Sequence, residues 1–165
     1  MGTEDMKLKI VQSNIFTSSA DAIVNPVNCK GTMGKGLAAD FKQKFPRNFE
    51  TYKKSCEEDW LKPGRILTFS EEGKVIYNFP TKDDWKKPAE YIFIELGLNA
   101  LVIECLRSKI KSISLPPLGC GLGGLSFGKV ITLIEKSFFT VPQIDVTIHF
   151  NDEKLLNTLP TFTAI

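Results

Sequence analysis

The chain has 165 residues, of which 42% are hydrophobic and 24% are charged, and its formal net charge is +2 at pH 7. These values are close to those of average globular proteins and suit a single domain, which we expect to cover residues 1–165. They exclude an intrinsically disordered chain and a protein that binds nucleic acid through net charge alone, although they allow a local basic patch.

The cysteines Cys29, Cys56, Cys105 and Cys120 show no CxxC spacing, and His149 is the only histidine. Because this set suits zinc poorly, we expect no metal and no cofactor. The N-terminal stretch MGTEDMKLKI lacks an apolar signal core, and no apolar run approaches the roughly 18–20 residues of a membrane span. These features predict a cytoplasmic protein with reduced thiols that does not bind membranes.

Hydrophobic periodicity predicts strands and helices that alternate along the chain. The first half of the chain contains predicted strands at Lys7–Gln12 and Ala22–Val24, a glycine loop, and helices at Leu37–Phe45 and Asn48–Glu58. Two strands follow at Arg65–Phe69 and Lys74–Phe79, joined by an EEG turn, and then a long helix at Pro88–Arg107. The last elements are a strand at Ile110–Leu115, a helix at Ser126–Phe138 with Ser126 as its N-cap, and a strand at Ile144–Phe150.

This alternation predicts a three-layer α/β/α fold with a mixed, largely parallel central sheet. Ligands in such folds bind at the carboxyl ends of the strands. Two glycine-rich segments follow predicted strands, one after Ala22–Val24 and one after Ile110–Leu115. We therefore expect the two loops to hold a ligand between them.

The second of these loops, Leu115–Leu125, reads LPPLGCGLGGL and runs towards the helix near Ser126. Glycines let backbone N–H groups approach an anion closely, so a phosphate or diphosphate is a natural ligand. The loop matches neither GxxxxGK[ST] nor GxGxxG, and a simple tight turn is the alternative interpretation. In the first loop, Asn25 and Asn28 offer amides that suit sugar hydroxyls, or they simply form a turn around Pro26.

The segments IVNPVNCKGTMGKGLAADFKQKFP and PPLGCGLGGL together resemble the macrodomain family, whose members are α/β/α modules that bind ADP-ribose. With the NFPTK segment at Asn78–Lys82, they are most similar to the DarG-type DNA ADP-ribosyl glycohydrolases, and more distantly to the TARG-type terminal ADP-ribose glycohydrolases. The resemblance covers the chain from Lys7 to Phe150. It implies an enzyme that removes ADP-ribose from thymidine bases in DNA by hydrolysis at C1″.

By this resemblance Lys82 is the catalytic group, the first loop holds the distal ribose and the second wraps the diphosphate. The implied ADP-ribose contacts are Asn14, Ile15, Asn25, Asn28, Gly34, Lys35, Gly36, Leu37, Thr81, Pro117, Leu118, Gly119, Cys120, Gly121, Leu122, Gly123, Gly124 and Leu125. The implied partners are ADP-ribosylated substrate, single-stranded DNA and a DarT-type toxin. The chain is then either a stand-alone macrodomain or one excised from a longer antitoxin.

Two positions depart from the family pattern. Asn14 stands where many macrodomains have an aspartate that accepts a hydrogen bond from the adenine amino group, so adenine selection is either weaker here or depends on the backbone near Ile15. Gly123 stands where TARG-type enzymes have an aspartate. The sequence therefore does not support a mechanism that needs that carboxylate.

Lys82 can act by two routes that the sequence leaves open. A neutral amine could attack C1″, forming a covalent intermediate such as a Schiff base that water then hydrolyses. A protonated amine could instead stabilise the negative charge on the departing base. Hydrolysis of ADP-ribose on protein carboxylates or of ADP-ribose-1″-phosphate is the alternative activity, and binding without turnover is the alternative from another class.

Three other side chains have two interpretations each. Trp85, within TKDDWKKP, could stack on a DNA base or could cover the core. Cys29 and Cys120 lie in the loops, but no histidine is near either in sequence, which favours buried thiols over nucleophiles. His149 lies in the apolar strand IDVTIHF, which favours a structural role.

Overall fold

The computed structural model describes residues 7–152, 154 and 155 of the chain. The expected single domain over 1–165, and the N-terminal stretch read for a signal, extend outside these residues. The strands are Leu8–Gln12 (β1), Ala22–Val27 (β2), Leu67–Glu71 (β3), Lys74–Pro80 (β4), Ser112–Leu115 (β5) and Asp145–Phe150 (β6). The helices are Gly36–Lys44 (α1), Pro46–Glu57 (α2), Tyr91–Ser108 (α3) and Phe127–Phe138 (α4), with a 3₁₀ turn at Ile15–Thr17 that the sequence analysis missed.

The strands form one six-stranded sheet in the order β1-β6-β5-β2-β4-β3. Five strands are parallel, and β3 pairs with β4 as an antiparallel edge hairpin. The hairpin turns at Glu72 and Gly73, both with positive φ, as a tight two-residue turn requires. The predicted mixed, largely parallel sheet between helices is thus confirmed.

Strand β2 runs three residues further than predicted, through Asn25 and Pro26 to Val27. It pairs with β4 along its whole length, but with β5 only at Ala22 and Ile23. Proline has no N–H to donate to a ladder, and it is tolerated where one side of the strand is unpaired. The Pro26 position therefore keeps β2 extended while one of its sides opens towards the space beyond β5.

Helices cover both faces of the sheet. On one face, α3 and α4 pack against each other and against side chains such as Val24 and Tyr77. On the other face, Ile23 and Ile76 pack with α1, since successive strand residues point to opposite faces.

Gly97 in α3 lies against the Phe79 ring, where an added Cβ would be 2.3 Å from a ring atom. A side chain at position 97 would therefore push α3 off the sheet.

Helix α3 begins at Tyr91, three residues later than predicted, so Pro88 precedes the helix. The N–H of Ala89 donates to the carbonyl of Gly123 at 3.1 Å, which ties this segment to the second glycine loop instead of to the helix. Ser126 does precede α4, but its side chain forms no capping bond, and its N–H donates to the Tyr91 hydroxyl at 2.9 Å. Within the described part of the chain, every helix is too short or too polar to cross a bilayer.

Candidate functional site

A cleft of about 970 Å³ lies at the carboxyl ends of the parallel strands. Each of these strands contributes the residues that follow it: Ser13–Phe16 after β1, Asn28 after β2, Thr81 and Lys82 after β4, Pro116 and Pro117 after β5, and Asn151 after β6. Ligand pockets typically measure about 300–1,000 Å³, so the cleft can enclose a whole dinucleotide-like molecule.

Lys82 and Asn28 lie on neighbouring strand ends, because backbone hydrogen bonds continue the pairing of β2 and β4 beyond the strands. The Thr81 N–H donates to the Val27 carbonyl at 2.9 Å, and the Cys29 N–H donates to the Asp83 carbonyl at 3.0 Å. The Lys82 side chain is half-buried at the cleft, and its Nζ lies 3.5 Å from the carbonyl oxygen of Leu122. The sequence-predicted catalytic lysine and ribose-binding asparagine are thus brought together.

The second glycine loop is folded so tightly that two of its glycines have no room for a side chain. A Cβ on Gly123 would lie 2.4 Å from the Gly119 carbonyl oxygen and 2.8 Å from the Ala89 Cβ. Gly119 itself has φ +74° and faces Leu125. The missing aspartate at position 123 therefore has a steric reason, since any side chain there would collide with backbone.

The two glycine loops meet across the cleft at its Lys82 end. A Cβ on Gly36 would lie 3.8 Å from the Leu122 side chain, which is otherwise 73% exposed. Leu122 therefore reaches the first loop with its side chain and Lys82 with its carbonyl. This arrangement brings the two loops together beside the lysine.

Thirteen of the eighteen predicted contact positions, together with Lys82, line the cleft: Asn14, Ile15, Asn28, Gly34, Lys35, Gly36, Leu37, Thr81, Pro117, Gly119, Gly121, Leu122 and Gly123. The other five do not. Leu118, Cys120 and Leu125 pack with the hydrophobic core, and Gly124 closes a turn by donating to the Gly121 carbonyl at 3.2 Å.

Asn25 also lies outside the cleft, which differs from its expected place at the ribose. It is fully buried, and its Nδ2 donates to Asn78 Oδ1 at 3.1 Å, while Asn78 and Asn48 exchange side-chain bonds at 2.8 and 3.0 Å. Because β2 continues through Asn25, its side chain points into a helix-covered face of the sheet. The amide ladder holds α2 against β2 and β4.

Asn14 lines the cleft at its other end, where its Oδ1 accepts from the Phe16 N–H at 2.9 Å and caps the 3₁₀ turn. A carbonyl oxygen has two lone pairs, so one remains for a ligand donor. Sequence reasoning missed several lining residues here, among them Ser13, Phe16, His149 and Asp152. The only signal for them was their position at the ends of β1 and β6.

His149 is buried beneath this end and joins the ends of two strands. Its Nδ1 lies 2.8 Å from the Ser13 hydroxyl, and its Nε2 lies 3.0 Å from the Ser114 hydroxyl, which in turn bonds Ser18 at 2.7 Å. Burial lowers the pKa of His149 below its ordinary value of 6.5, so the ring is neutral at pH 7. A structural role for His149 accords with this network.

The lowered pKa of His149 predicts a loss of stability on mild acidification. Above about pH 6.5 the imidazole is neutral in both folded and unfolded chains; below it the unfolded chain binds the proton first, so the free energy of unfolding falls. We expect urea titrations at pH 7.5, 6.5 and 5.5 to show this fall in the wild type. The slope should be smaller in His149→Gln, and equal slopes would contradict the assignment.

The loop cysteines are unsuited to nucleophilic catalysis. Cys29 and Cys120 are buried, and burial raises the pKa of each thiol to about 12, so both remain protonated at neutral pH.

Trp85 does not cover the core, because its side chain is 53% exposed at the rim of the cleft. Within residues 7–152, 154 and 155, no three His, Cys, Asp or Glu side chains form a cluster that could hold a metal ion.

Comparison with known proteins places this cleft in a family. Residues 24–134 match the model of the Macro domain. The chain is 36% identical over 146 residues to a DNA ADP-ribosyl glycohydrolase of Thermus aquaticus, a match that covers 86% of this chain and 41% of that protein. The chain therefore spans about two fifths of the length of this curated relative.

Solved structures give the same result. The macrodomain of Mycobacterium tuberculosis DarG superposes with a TM-score of 0.85 at 32% identity, covering 87% of this chain and 97% of that one. Thermosipho africanus DarTG in complex with ADP-ribose superposes with a TM-score of 0.82 at 31% identity, covering 90% of this chain and 42% of that one. With five parallel strands, helices on both faces and two glycine loops over one cleft, the chain belongs to the macrodomain family.

Proposed function

We propose that this macrodomain binds ADP-ribose in the cleft and removes it from thymidine bases in DNA, with Lys82 as the catalytic group. The similar Thermus aquaticus protein is named DNA ADP-ribosyl glycohydrolase, which supports this activity. The similar structure of Thermosipho africanus DarTG in complex with ADP-ribose supports ADP-ribose as the ligand. The observation that carries the proposal is the position of Lys82: a half-buried lysine that lines the same cleft as Asn28 and whose Nζ lies 3.5 Å from the Leu122 carbonyl oxygen.

In this proposal ADP-ribose lies along the cleft with its distal ribose at the Lys82 end. Backbone N–H groups of the second glycine loop surround the diphosphate, because a loop of such groups before a helix favours anions. Asn14 and the backbone near Ile15 meet the adenine at the other end. Asn28 and the Gly34–Gly36 stretch meet the distal ribose.

The reaction is hydrolysis of the bond between C1″ and N3 of thymine. The bond's electron pair leaves with the base, the water oxygen bonds to C1″, and a water proton ends on the base. Among the described residues, no carboxylate forms an ion pair with Lys82. We propose that the Lys82 ammonium stabilises the charge on the departing base, as hydrogen-bond donors do at developing anions.

The rim beside Lys82 supports DNA as the carrier of the modification. Trp85 is exposed there, and Lys86 Nζ lies 5.3 Å from the centre of its ring. An exposed aromatic ring with a cation beside it suits stacking on an unpaired base next to a phosphate backbone. A nucleotide flanking the modified thymidine would meet this surface as it leaves the cleft.

Incubation with an ADP-ribosylated single-stranded oligonucleotide, followed by mass measurement, tests the proposal. We expect unmodified oligonucleotide and free ADP-ribose as products. Release from modified glutamate or from ADP-ribose-1″-phosphate, with none from DNA, would support the alternative hydrolase. Binding of ADP-ribose without release from any substrate would indicate a binding module.

Trp85→Ala is expected to weaken use of the oligonucleotide and to leave the ADP-ribosylated mononucleoside unaffected. Stacking on an aromatic side chain contributes about 1–3 kcal/mol per base, so KM for the oligonucleotide should rise about 5- to 140-fold. Trp60→Ala is the matched control, since Trp60 is also exposed, at 44%, but does not line the cleft. Equal KM values in the three proteins would exclude a stacking role.

We also propose a DarT-type toxin as the functional counterpart, since the Thermosipho relative is named as a fusion of a DNA ADP-ribosyl transferase and a DNA ADP-ribosyl glycohydrolase. We propose a cytoplasmic location as well, because the proposed substrate is DNA and because the four cysteines are free thiols, as is usual in that reducing compartment. Co-expression with such a transferase tests this part. Wild type should remove ADP-ribose from cellular DNA, and the Lys82 variant should not.

A further inference from the structure

Helix α2 carries polar residues on the face that it buries. Asn48, Tyr52 and Ser55 follow one another at helical spacing, and all three are buried. The Tyr52 hydroxyl lies 2.8 Å from the Asn28 carbonyl oxygen and 2.9 Å from Asn28 Oδ1, so its single proton is shared between these two acceptors. A fully buried phenol thus bonds a residue of the cleft, and the Cys56 thiol of the same helix is a second neighbour of its hydroxyl.

The bonds around Asn28 allow its amide only one orientation. Oδ1 accepts from Tyr52 and from the Lys30 N–H at 2.9 Å, and Nδ2 donates to the Thr32 carbonyl at 2.8 Å. A flipped amide would set NH₂ against the Lys30 N–H and oxygen against the Thr32 carbonyl. The second Nδ2 hydrogen has no acceptor among the residues described, while Asn28 lines the cleft.

We propose that Tyr52 is a positioning residue, which together with the Lys30 N–H and the Thr32 carbonyl holds the Asn28 amide so that it presents an N–H, and not its oxygen, to a sugar hydroxyl in the cleft. This inference rests on the proposed function, because it places the distal ribose at Asn28. Burial raises the pKa of Tyr52, so the phenol keeps its proton and remains a donor. The Asn28 amide therefore binds as a donor to a ribose oxygen.

The position of Asn28 gives this orientation a consequence for the reaction. The two backbone bonds on either side of Lys82 hold its segment beside that of Asn28, and both residues line the cleft. A ribose oxygen held by Asn28 is therefore held beside the backbone segment that carries Lys82. Loosening the amide should weaken binding of the ribose and lower kcat, because a small misplacement at the reacting centre is costly.

The test compares ADP-ribose with ADP, which lacks the distal ribose, by calorimetry on the wild type, Tyr52→Phe and Tyr77→Phe. We expect Tyr52→Phe to lose about 5- to 10-fold in affinity for ADP-ribose and nothing for ADP, as one hydrogen bond is loosened. Tyr77→Phe is the matched control: Tyr77 is also fully buried, but its hydroxyl faces the Glu104 carbonyl, away from the cleft. It should bind both ligands like the wild type.

A second variant keeps the test decisive if Tyr52→Phe folds poorly. Asn28→Asp keeps the acceptor oxygen and removes the N–H donor, so it should lower affinity for ADP-ribose but not for ADP. When Tyr52→Phe is added to Asn28→Asp, the further loss of ADP-ribose affinity should be smaller than the loss that Tyr52→Phe causes alone. Equal losses for both ligands in Tyr52→Phe, or full additivity in the double variant, would overturn the positioning role. A wild type that binds neither ligand would instead overturn the proposed function.

Discussion

Lys82→Ala is expected to lower the rate of ADP-ribose release from modified DNA by about 10²- to 10⁴-fold, the range for loss of one acid or electrostatic catalyst. Affinity for free ADP-ribose should change by only a few-fold, because glycine-loop backbone supplies most of the proposed contacts. The measurements are single-turnover release from an oligonucleotide and calorimetry with ADP-ribose. A rate close to that of the wild type would remove Lys82 from the chemistry.

Two further variants separate the role of Lys82 from that of its neighbours. Lys87→Ala removes a nearby exposed lysine that does not line the cleft, so its rate should equal that of the wild type. Lys82→Arg keeps the positive charge but replaces the amine with a guanidinium, a poor nucleophile. It should retain part of the rate if the charge stabilises the leaving base. Loss of all activity in Lys82→Arg, together with a borohydride-trapped adduct in the wild type, would establish the covalent route instead.

Gly123→Ala is expected to weaken ADP-ribose binding by about 5- to 140-fold. Its Cβ would lie 2.4 Å from the Gly119 carbonyl oxygen, and backbone cannot move aside as a flexible side chain can. Overpacking of this kind typically costs about 1–3 kcal/mol. A free loop that shifts to relieve it must recover its shape to bind the ligand, and each 1.4 kcal/mol corresponds to a tenfold change in affinity. Calorimetry with ADP-ribose gives the affinity, and thermal melting shows whether the fold persists.

The same loop provides a comparison variant. Gly121 has no atom within 4 Å of a built Cβ, and its φ is not positive, so Gly121→Ala should lose far less affinity than Gly123→Ala. Gly123→Asp should bind as poorly as Gly123→Ala and release ADP-ribose no faster, although it introduces the TARG-type carboxylate. Normal binding by Gly123→Ala would show that the loop adjusts freely. Faster release by Gly123→Asp would show that a carboxylate can act from this position.

The element pattern was largely accessible from the sequence. Apolar periodicity predicted the six strands and four helices. A strand that buries one face repeats its apolar residues every two positions, and a helix that does so repeats them every 3.6 positions. Glycine loops after two strands predicted the edge of the sheet that carries the cleft. These are local consequences of the chain, and the errors lie at ends such as Val27 and Tyr91, where pairing with distant segments decides the boundary.

The use of each polar side chain was decided only by the tertiary structure. Asn25 and Asn28 look alike in sequence, three residues apart. The continuation of β2 buries Asn25 in the Asn48–Asn78 ladder, and Tyr52 from α2 orients Asn28 at the cleft. A side chain's partners come from residues far along the chain, so spacing alone cannot assign them.

By itself the sequence determined the fold class and the two loops that enclose the cleft, since both follow from local patterns of hydrophobicity and glycine. The tertiary structure decided that Lys82 and Asn28 line one cleft, that His149 links Ser13 to Ser114 and that no side chain fits at position 123. Each of these depends on distances between segments that are remote in sequence, and such distances arise only when the sheet assembles.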